Sequence, residues 1–225
     1  MNAIFVTGTD TGIGKTFVTA LLLDQFNRSG YKTFAIKPIA SGTTYNEKYG
    51  WENDDVLVLQ KAASIVRPLR VVNPITLKEP IAPHLAALHM DIQLTNSGVR
   101  NAIVASIQIE ADINFIEGVG GWAVPLNNHE LFSEVICALS IPVILVVGIK
   151  LGCLNHAILT YHTIIQKNVQ FVGWVANCLD PKTLALEENI QTLQEWIKSP
   201  CLGIVPYECQ SSDVLNIKPI QQLLF

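Results

Sequence analysis

Short runs of apolar and β-branched residues alternate along the chain with longer segments in which apolar residues recur at helical spacing. The runs predict strands over residues 4–7, 33–37, 112–117, 143–148, 171–177 and 202–205. The intervening segments predict helices over residues 15–28, 55–63, 97–110, 130–139, 154–166 and 184–197, and the tail 213–225 predicts a short terminal helix. This alternation predicts an α/β fold: a doubly wound, mostly parallel sheet with helices on both faces.

The segment between residues 41 and 83 is the least regular part of the pattern. It contains prolines at 68, 74, 80 and 83, and long loops of this kind often carry a functional site. We find no internal repeat and no linker rich in Gly, Ser or Pro. The sequence therefore predicts a single domain over residues 1–225.

The composition favours a large buried core, because 49% of the residues are hydrophobic and only 15% are charged. The mean hydropathy of +0.33 raises the question of a membrane span. The most apolar stretch, residues 135–149, is interrupted by Ser140 and Pro142, and it is shorter than the roughly 18 apolar residues that a span needs. The apolar runs are instead typical of strands buried on both faces, and no membrane partner is predicted.

The charge and the cysteines narrow the class of protein further. Nineteen acidic and fifteen basic residues give a net charge of −4, and no basic stripe indicates a nucleic-acid partner. The first residues lack the positive region of a secretory signal. Five cysteines form no C-x-x-C pair, which predicts reduced thiols in a cytoplasmic protein.

A glycine-rich loop at residues 8–16, GTDTGIGKT, follows the first predicted strand and opens the first predicted helix. In this context backbone N–H groups and a helix N-terminus converge on phosphate oxygens. Lys15 is expected to pair with the β- and γ-phosphates, and the Thr16 hydroxyl to ligate Mg²⁺. Five residues separate Gly8 from the Gly-Lys-Thr triplet where the strict pattern has four, so the sequence predicts a variant P-loop of an NTPase fold.

Three further charged residues are candidates for the same site. Glu117 ends a predicted strand, which is where carboxylates that hold Mg²⁺ usually lie. Asp55 lies at the start of a predicted helix, where an N-terminal capping role is the alternative. Lys37 ends the second predicted strand at the edge where doubly wound folds bind ligands; it either neutralises transferred charge or is an ordinary solvated strand end.

Together these motifs resemble the dethiobiotin synthetase family. The resembling blocks are FVTGTDTGIGKT at 5–16, KPIASG at 37–42, NDD at 53–55, NP at 73–74, EPIAPH at 79–84, EGVGGW at 117–122, PVILVVG at 142–148, KLGCLNH at 150–156 and GWVAN at 173–177. Many ATPases share the P-loop, but the combination with KPIASG and KLGCLNH is much more specific. The blocks follow one another in order, and the resemblance continues to about residue 207.

The resemblance implies a P-loop NTPase fold and an ATP- and Mg²⁺-dependent cyclo-ligase. Its substrate would be 7,8-diaminononanoate, which reacts with CO₂ to give a carbamate. The carbamate oxygen attacks the γ-phosphate of ATP, and a carbamic–phosphoric anhydride forms. The second amine then closes the ureido ring of dethiobiotin and releases phosphate.

The resemblance also implies site residues. The metal ligands would be Thr16, Asp55 and Glu117. The nucleotide-binding residues would be Gly12, Ile13, Gly14, Lys15, Thr16, Phe17, Asp55, Glu117, Gly118, Val119, Gly120, Asn177, Cys178, Pro206, Tyr207 and Glu208. Lys37, Lys15 and Thr11 would act at the reacting centre, and Ser41 would hydrogen-bond the carbamate or an amine.

The far end of the substrate would be held by a loop from a partner subunit. The loop residues implied are Leu151, Gly152, Cys153 and Asn155, so the active site would lie at a homodimer interface. Free N–H groups at the start of the helix that follows would bind the substrate carboxylate. Two departures bear on binding: Cys178 stands where the family often has a polar residue, and Asn189 stands where some relatives have a tyrosine.

A nucleotide switch of the partitioning or cell-division type is the alternative function, because such ATPases share a dimeric P-loop core. Those proteins typically carry a second lysine early in the P-loop, and residues 9–13 contain none. A synthetase with the same core and a different substrate is a closer alternative.

Overall fold

A computed structural model of the chain describes residues 2–47 and 50–225. The strands are β1 (Ala3–Gly8), β2 (Thr33–Ile36), β3 (Ile39–Ser41), β4 (Thr44–Asn46), β5 (Gly50–Glu52), β6 (Ile75–Leu77), β7 (Ile113–Glu117), β8 (Val143–Ile149), β9 (Phe171–Cys178) and β10 (Cys201–Val205). The helices are α1 (Lys15–Arg28), α2 (Asp54–Ala62), α3 (Leu69–Val72), α4 (Pro83–Leu88), α5 (Asn96–Ser106), α6 (Phe132–Ala138), α7 (Cys153–Gln166), α8 (Leu186–Trp196) and α9 (Lys218–Leu224), with a 3₁₀ turn at Ser212–Val214.

Six strands form the main sheet in the order β10-β9-β8-β1-β7-β2. Every pair in it is parallel. β7 and β2 lie on one side of β1, and β8, β9 and β10 lie on the other side. The strand order therefore reverses beside β1. In open parallel sheets this reversal opens a crevice beyond the carboxyl ends of the strands, where ligands bind.

Helices cover both faces of this sheet, as the sequence predicts. Along β8, Ile144 and Val146 pack with Leu22 and Phe26 of α1. Leu145 and Val147 point the opposite way because side chains alternate along a strand, and they join the cluster that includes α7 and α8. β8 is buried along its whole length, which accounts for its unbroken apolar run.

The segment between residues 41 and 83 is more regular than the sequence indicates. β3 pairs in parallel with β6, and β4 pairs with β5 in an antiparallel hairpin. Each of these strands is three residues long, and β3 and β6 are more than thirty positions apart in the sequence. No local period therefore reveals them. Lys48 and Tyr49 lie outside the described residues.

Two helix predictions are wrong in extent. The helix predicted over 97–110 ends at Ser106, because Asn114 of β7 accepts the Gln108 N–H at 3.0 Å and donates to the Gln108 carbonyl at 3.1 Å. The tail predicted as one helix over 213–225 is divided into the 3₁₀ turn and α9, which has a proline in its first turn. No helix among residues 2–47 and 50–225 is long and apolar enough to cross a bilayer.

Phe115 should be a principal contributor to the stability of the sheet. It is fully buried in β7, and its ring lies 5.6 Å from that of Phe26 in α1. We expect Phe115→Ala to lower the free energy of unfolding by about 3–5 kcal/mol through lost burial and a cavity. Denaturant unfolding measures this, with Ile109→Ala, at a site that is 97% exposed, as a control that should change it by less than about 0.5 kcal/mol. Equal losses in the two variants would contradict the packing described here.

Candidate functional site

The carboxyl edge of the main sheet brings the predicted residues together. The glycine-rich loop follows β1, Lys37 follows β2, and Glu117 is the last residue of β7. Because β1, β2 and β7 are parallel neighbours, their ends meet at one edge although the residues lie far apart in sequence.

The loop joining β1 to α1 has the geometry of an anion cradle. Gly12 and Gly14 have φ angles of 71° and 81°, which strain any residue with a Cβ. Gly14 is the N-terminal cap of α1, and no side chain caps the N–H groups at this end of the helix. The first turn of the helix also contains no acidic residue. The N–H groups of the first turn of an α-helix have no partner within the helix and favour an anion.

A cleft of about 890 Å³ opens over this loop. Its lining includes many of the predicted site residues: Thr11, Gly12, Gly14, Lys15, Thr16, Phe17, Lys37, Ser41, Asp55, Val119 and Gly120. It also includes Pro80, Ile81, Ala82, Pro83, Gly121, Ala123, Val124 and Pro125. The sequence analysis assigned no role to this second set. Pro80, Ile81, Ala82, Pro83 and Gly121 lie within the resembling blocks 79–84 and 117–122, which was the only signal for them, and Ala123, Val124 and Pro125 lie outside both blocks.

Lys37 lies between two carboxylates at the floor of the cleft. Its Nζ donates to Oε1 of Glu117 at 2.8 Å and to Oδ2 of Asp55. The Thr16 hydroxyl donates to the same Glu117 oxygen at 2.8 Å. Lys37 and Glu117 are buried, whereas the Asp55 side chain is about half exposed. The ordinary solvated strand end, one of the two interpretations of Lys37, is therefore wrong for this structure.

The charged groups of this cluster shift one another's pKa values. Burial acts to lower the pKa of Lys37, but the carboxylates of Glu117 and Asp55 outweigh it and raise that pKa. Burial likewise acts to raise the pKa of Asp55, while Lys37 and the Thr16 hydroxyl bring it below its ordinary value. Both groups are consequently ionised near neutral pH.

The capping role considered as the alternative for Asp55 is wrong for this structure, because Asp55 is the second residue of α2 and its own N–H is capped. The cap of that helix is Asn53, whose side chain accepts the Asp55 N–H. The Asn53 amide donates to the carbonyls of Ser41 and Gly42. Asn53 thereby takes the capping role and leaves the Asp55 carboxylate to face Lys37.

Lys15 rests against its own loop. Its Nζ donates to the carbonyl of Asp10 at 3.0 Å, and burial lowers its pKa to about 8 despite the attraction of Glu117. The Asp10 carboxylate accepts the Thr11 N–H at 2.8 Å and pairs with Lys150 at 3.2 Å. The Thr11 N–H and, secondarily, Lys150 lower the pKa of Asp10. The sequence singled out neither Asp10 nor Lys150.

The residues present fit a magnesium ion that is shared with phosphates. Glu117 is fully buried, yet its Oε2 has no hydrogen-bond partner among residues 2–47 and 50–225. A buried carboxylate oxygen without a partner is costly unless a cation reaches it. No group of three or more acidic, His or Cys side chains forms a metal cage within the described part of the chain, and Mg²⁺ typically takes one or two carboxylates together with substrate phosphates.

Other predicted residues lie outside the lining of this cleft. Leu151 is fully exposed, Gly152 and Asn155 are also exposed, and Cys153 is buried at the start of α7. Pro206, Tyr207 and Glu208 are exposed beyond β10. Gly118 packs closely on Phe5, where an added Cβ would lie 2.8 Å from the ring.

At the end of β9 the amide of Asn177 donates to the carbonyl of Ile13 at 2.8 Å, and both residues are buried. Cys178 is buried as well, and burial raises the pKa of its thiol. Asn189 donates to the carbonyl of Ala185, the N-terminal cap of its own helix, at 2.8 Å. These contacts are not tests of nucleotide or substrate binding, so the roles that the resemblance implies for these residues stay predictions.

The parallel sheet, the loop after β1 and the Lys-Thr pair that opens α1 define a P-loop NTPase fold. Solved structures with this fold are similar over almost the whole chain. The cell division protein MinD of Aquifex aeolicus matches with a TM-score of 0.55 and 15% identity, over 100% of this chain and 97% of that one. MinD of Pyrococcus horikoshii OT3, complexed with Mg-ADP, gives a TM-score of 0.54 and 17% identity over 97% and 88% of the two chains. At these identities the likeness establishes the fold alone.

Sequence relatives identify the family. The model of a family described as AAA domain matches residues 2–214. The ATP-dependent dethiobiotin synthetase BioD of Pseudomonas aeruginosa (strain UCBPP-PA14) is 44% identical over 92% of this chain and 90% of its own length. The protein of the same name from Xylella fastidiosa (strain 9a5c) is 40% identical over 92% and 91% of the two chains. The chain belongs to the dethiobiotin synthetase family.

The low pKa of Lys15 predicts that polyphosphate binding weakens at alkaline pH. Burial disfavours the charged form of the Lys15 ammonium, and a bound phosphate would favour it. Below the pKa of about 8 the lysine is already protonated, whereas above it binding must take up a proton. We expect the affinity for ATP to fall by up to roughly tenfold per pH unit above that value, with proton uptake measured by calorimetry in two buffers. Lys15→Gln should bind more weakly with a flatter profile; a flat profile in the wild type would contradict the prediction.

The position of Lys37 predicts a competition with Mg²⁺. Lys37→Met removes the ammonium that lies between Asp55 and Glu117, and leaves their carboxylates without a counter-ion. We expect Mg²⁺, without nucleotide, to raise the Tm of Lys37→Met by at least about 3 °C more than that of the wild type, because a bound ion stabilises the folded state.

The control for this measurement is the double variant Lys37→Met, Glu117→Gln. It should lose the additional stabilisation, since the amide is a poorer ligand for a hard cation. If Mg²⁺ raises the Tm of the wild type and of the single variant equally, Lys37 does not occupy the cation position.

Proposed function

We propose that this chain is an ATP-dependent dethiobiotin synthetase that uses Mg²⁺ and closes the ureido ring of dethiobiotin from 7,8-diaminononanoate and CO₂. The observation that carries the proposal is the arrangement at the cleft floor, where Lys37, Asp55, Glu117 and Thr16 meet beside the P-loop. Membership of the dethiobiotin synthetase family supports the choice of substrate.

The reaction needs the charges that this cleft offers. A carbamate and a γ-phosphate are both anions, so their approach is unfavourable without cations nearby. Lys15 and Lys37 both line the cleft and are at most 7% exposed. The loop N–H groups would hold the phosphates, and the two ammonium groups would stabilise the charge that develops between carbamate and phosphate.

The chemistry runs in three steps. One amine of the substrate adds to CO₂, losing a proton and giving a carbamate. A carbamate oxygen then attacks the γ-phosphorus as the bond to ADP breaks, which gives the carbamic–phosphoric anhydride. The second amine attacks the carbonyl carbon, phosphate leaves, and the amine loses its proton as the ring closes.

The residues have distinct parts in these steps. Lys37 would leave the carboxylates and stabilise the carbamate and the transferred phosphoryl group, while Lys15 would move from the Asp10 carbonyl to the phosphates. The Ser41 hydroxyl is buried at the cleft with no hydrogen-bond partner within 2–47 and 50–225, and it would bind the carbamate or an amine. Thr11 would donate a further hydroxyl.

Thr16, Asp55 and Glu117 would hold Mg²⁺. When bound, the ion neutralises charge on the β- and γ-phosphates and orients them. The Oε2 of Glu117, which has no hydrogen-bond partner among the described residues, supports this assignment. Displacement of Lys37 from the two carboxylates would free both the ligands and the catalytic ammonium at the same time.

The substrate carboxylate would be bound by a second copy of the chain. Leu151, Gly152 and Asn155 are exposed, and none of them lines the cleft of their own chain. An exposed segment at the start of a fourteen-residue helix, α7, offers backbone N–H groups to an anion. The site would therefore be complete only in a homodimer, with Cys153 contributing its backbone.

The nucleotide would extend from the P-loop toward the ends of β9 and β10. There Asn177, Cys178, Pro206, Tyr207 and Glu208 would surround the base or the ribose, and residues 117–120 would lie beside the phosphates. The cell-division type of switch is not favoured, because its structural likeness rests on 15–17% identity and so concerns the fold alone.

Phosphate release tests the function directly. The protein is given Mg-ATP and bicarbonate, with and without 7,8-diaminononanoate. We expect release that depends on the diamine, together with a product of dethiobiotin mass. Lys37→Met should lower kcat by at least about 100-fold, because the lost interaction forms mainly in the transition state.

The matched control is Lys198→Met, at an exposed lysine just before β10 and so at the opposite edge of the sheet. It should retain the wild-type rate. Slow release that is indifferent to the diamine would reject the synthetase and indicate a switch or a synthetase with another substrate.

A further inference from the structure

Ile13 is fully buried although the loop around it lines the cleft. Its side chain packs against two glycines on neighbouring strands, Gly8 at the end of β1 and Gly148 in β8. A Cβ added at either glycine would lie 2.8 Å from a carbon of Ile13. The side chain is therefore inserted into the sheet side of the loop, where only glycines leave room for it.

The backbone of Ile13 is held from the same side. Asn177 of β9 is opposite Gly148 of β8 in the strand register, and its Nδ2 donates to the Ile13 carbonyl at 2.8 Å. A Cβ added at Gly14 would overlap that Nδ2. The amide thus fits closely against the peptide that joins Ile13 to Gly14, and the acceptor on the loop requires the nitrogen, not the oxygen, to face it.

This contact determines the direction of an N–H group. The structure has no cis peptide among its described residues, and in a trans peptide the carbonyl and the following N–H point in opposite directions. Because the Ile13 carbonyl points toward β9, the Gly14 N–H points away from it. Gly14 also lines the cleft in which the phosphates would bind.

We propose that Asn177 is a positioning residue for phosphate binding, which presets the P-loop by holding the Ile13 carbonyl and thereby aims the Gly14 N–H at the polyphosphate chain. The inference rests on the proposed function in that the loop binds the phosphates of ATP. A carbonyl released from Asn177 would be free to rotate toward the anion, which it would repel. This role differs from recognition of the base, because it requires no base to be present.

Inorganic tripolyphosphate separates the two roles, since it has the phosphate chain without a base. Its dissociation constant is measured for the wild type, Asn177→Asp and Asn177→Ala. We expect both variants to bind it about tenfold more weakly, equivalent to about 1.4 kcal/mol. Asn177→Asp places an acceptor against the carbonyl, and Asn177→Ala leaves the carbonyl without its donor.

Asn114→Asp is the matched control. Asn114 is also buried and its amide donates to backbone carbonyls, but it lies near the start of β7, at the opposite edge of the sheet. Thermal unfolding of each variant establishes that the affinities refer to folded protein. The control should lose stability while its affinity for tripolyphosphate changes less than about twofold.

A pH profile adds a readout that a general loss of stability would not produce. When protonated, the carboxyl of Asn177→Asp can donate to the Ile13 carbonyl again. Its affinity relative to the wild type should therefore recover between pH 8 and pH 5.5, whereas that of Asn177→Ala should not. Taking the ratio to the wild type at each pH removes the titration of Lys15 and of tripolyphosphate itself.

Two results would overturn the inference. In one, both variants bind tripolyphosphate within about twofold of the wild type, while they no longer discriminate between ATP and ITP. Asn177 would then recognise the base and would have no role in positioning the loop. In the other, the wild type binds ATP but not tripolyphosphate, so the loop is not a preset cradle. The proposed function fails separately, by phosphate release that is indifferent to the diamine in the wild type.

Discussion

The buried ion pair between Lys37 and Glu117 is the interaction on which the site depends. Neither charge is tolerable alone in the interior, because desolvation of an unpaired ion costs several kcal/mol. Lys37 directly follows β2 and Glu117 ends β7. The two strands are paired so that Ile36 lies opposite Ile116, which brings Lys37 and Glu117 together. The sheet thus holds the charges at 2.8 Å, and the charges in turn hold the cleft floor in a form that can accept another cation.

The charged groups of the site compensate one another. Lys37 neutralises the carboxylates that would hold a metal, and Lys15 rests on the Asp10 carbonyl. Nucleotide and metal binding would exchange these internal contacts for contacts with phosphate, so the charged groups need not be desolvated anew. The same exchange accounts for the second oxygen of Glu117, Oε2, which has no hydrogen-bond partner in the part of the chain that the structure describes and would be available to a bound cation.

Glycines give the loop its close fit to the sheet. Gly8 and Gly148 make room for Ile13, and Gly14 makes room for the amide of Asn177. A loop that is supported in this way from β1, β8 and β9 keeps its N–H groups in place before the anion arrives, which lowers the entropic cost of binding. The additional residue of this P-loop, relative to the strict pattern, does not leave the loop unsupported.

Local signals in the sequence were sufficient for much of the fold. The helix predicted over 15–28 has the observed bounds of α1, because the glycine loop before it and the apolar spacing within it are local properties. All the strands of the main sheet were predicted within one or two residues. The P-loop, and Glu117 as a strand-end carboxylate, also followed from short stretches. The full residue assignments depended on resemblance to a family.

Tertiary structure decided which side chains contact one another in the site, because these groups meet only after the strands have paired. Lys37 contacts Asp55 across 18 positions and Glu117 across 80, and Asn177 contacts Ile13 across 164. The early end of α5 likewise results from Asn114, a residue of the next strand. The sequence by itself determined the strands of the main sheet, the longer helices and the chemical groups that they carry, but not the short elements between residues 39 and 88. Only the parallel sheet determined which groups become neighbours, because hydrogen bonding between strands, not local preference, sets that register.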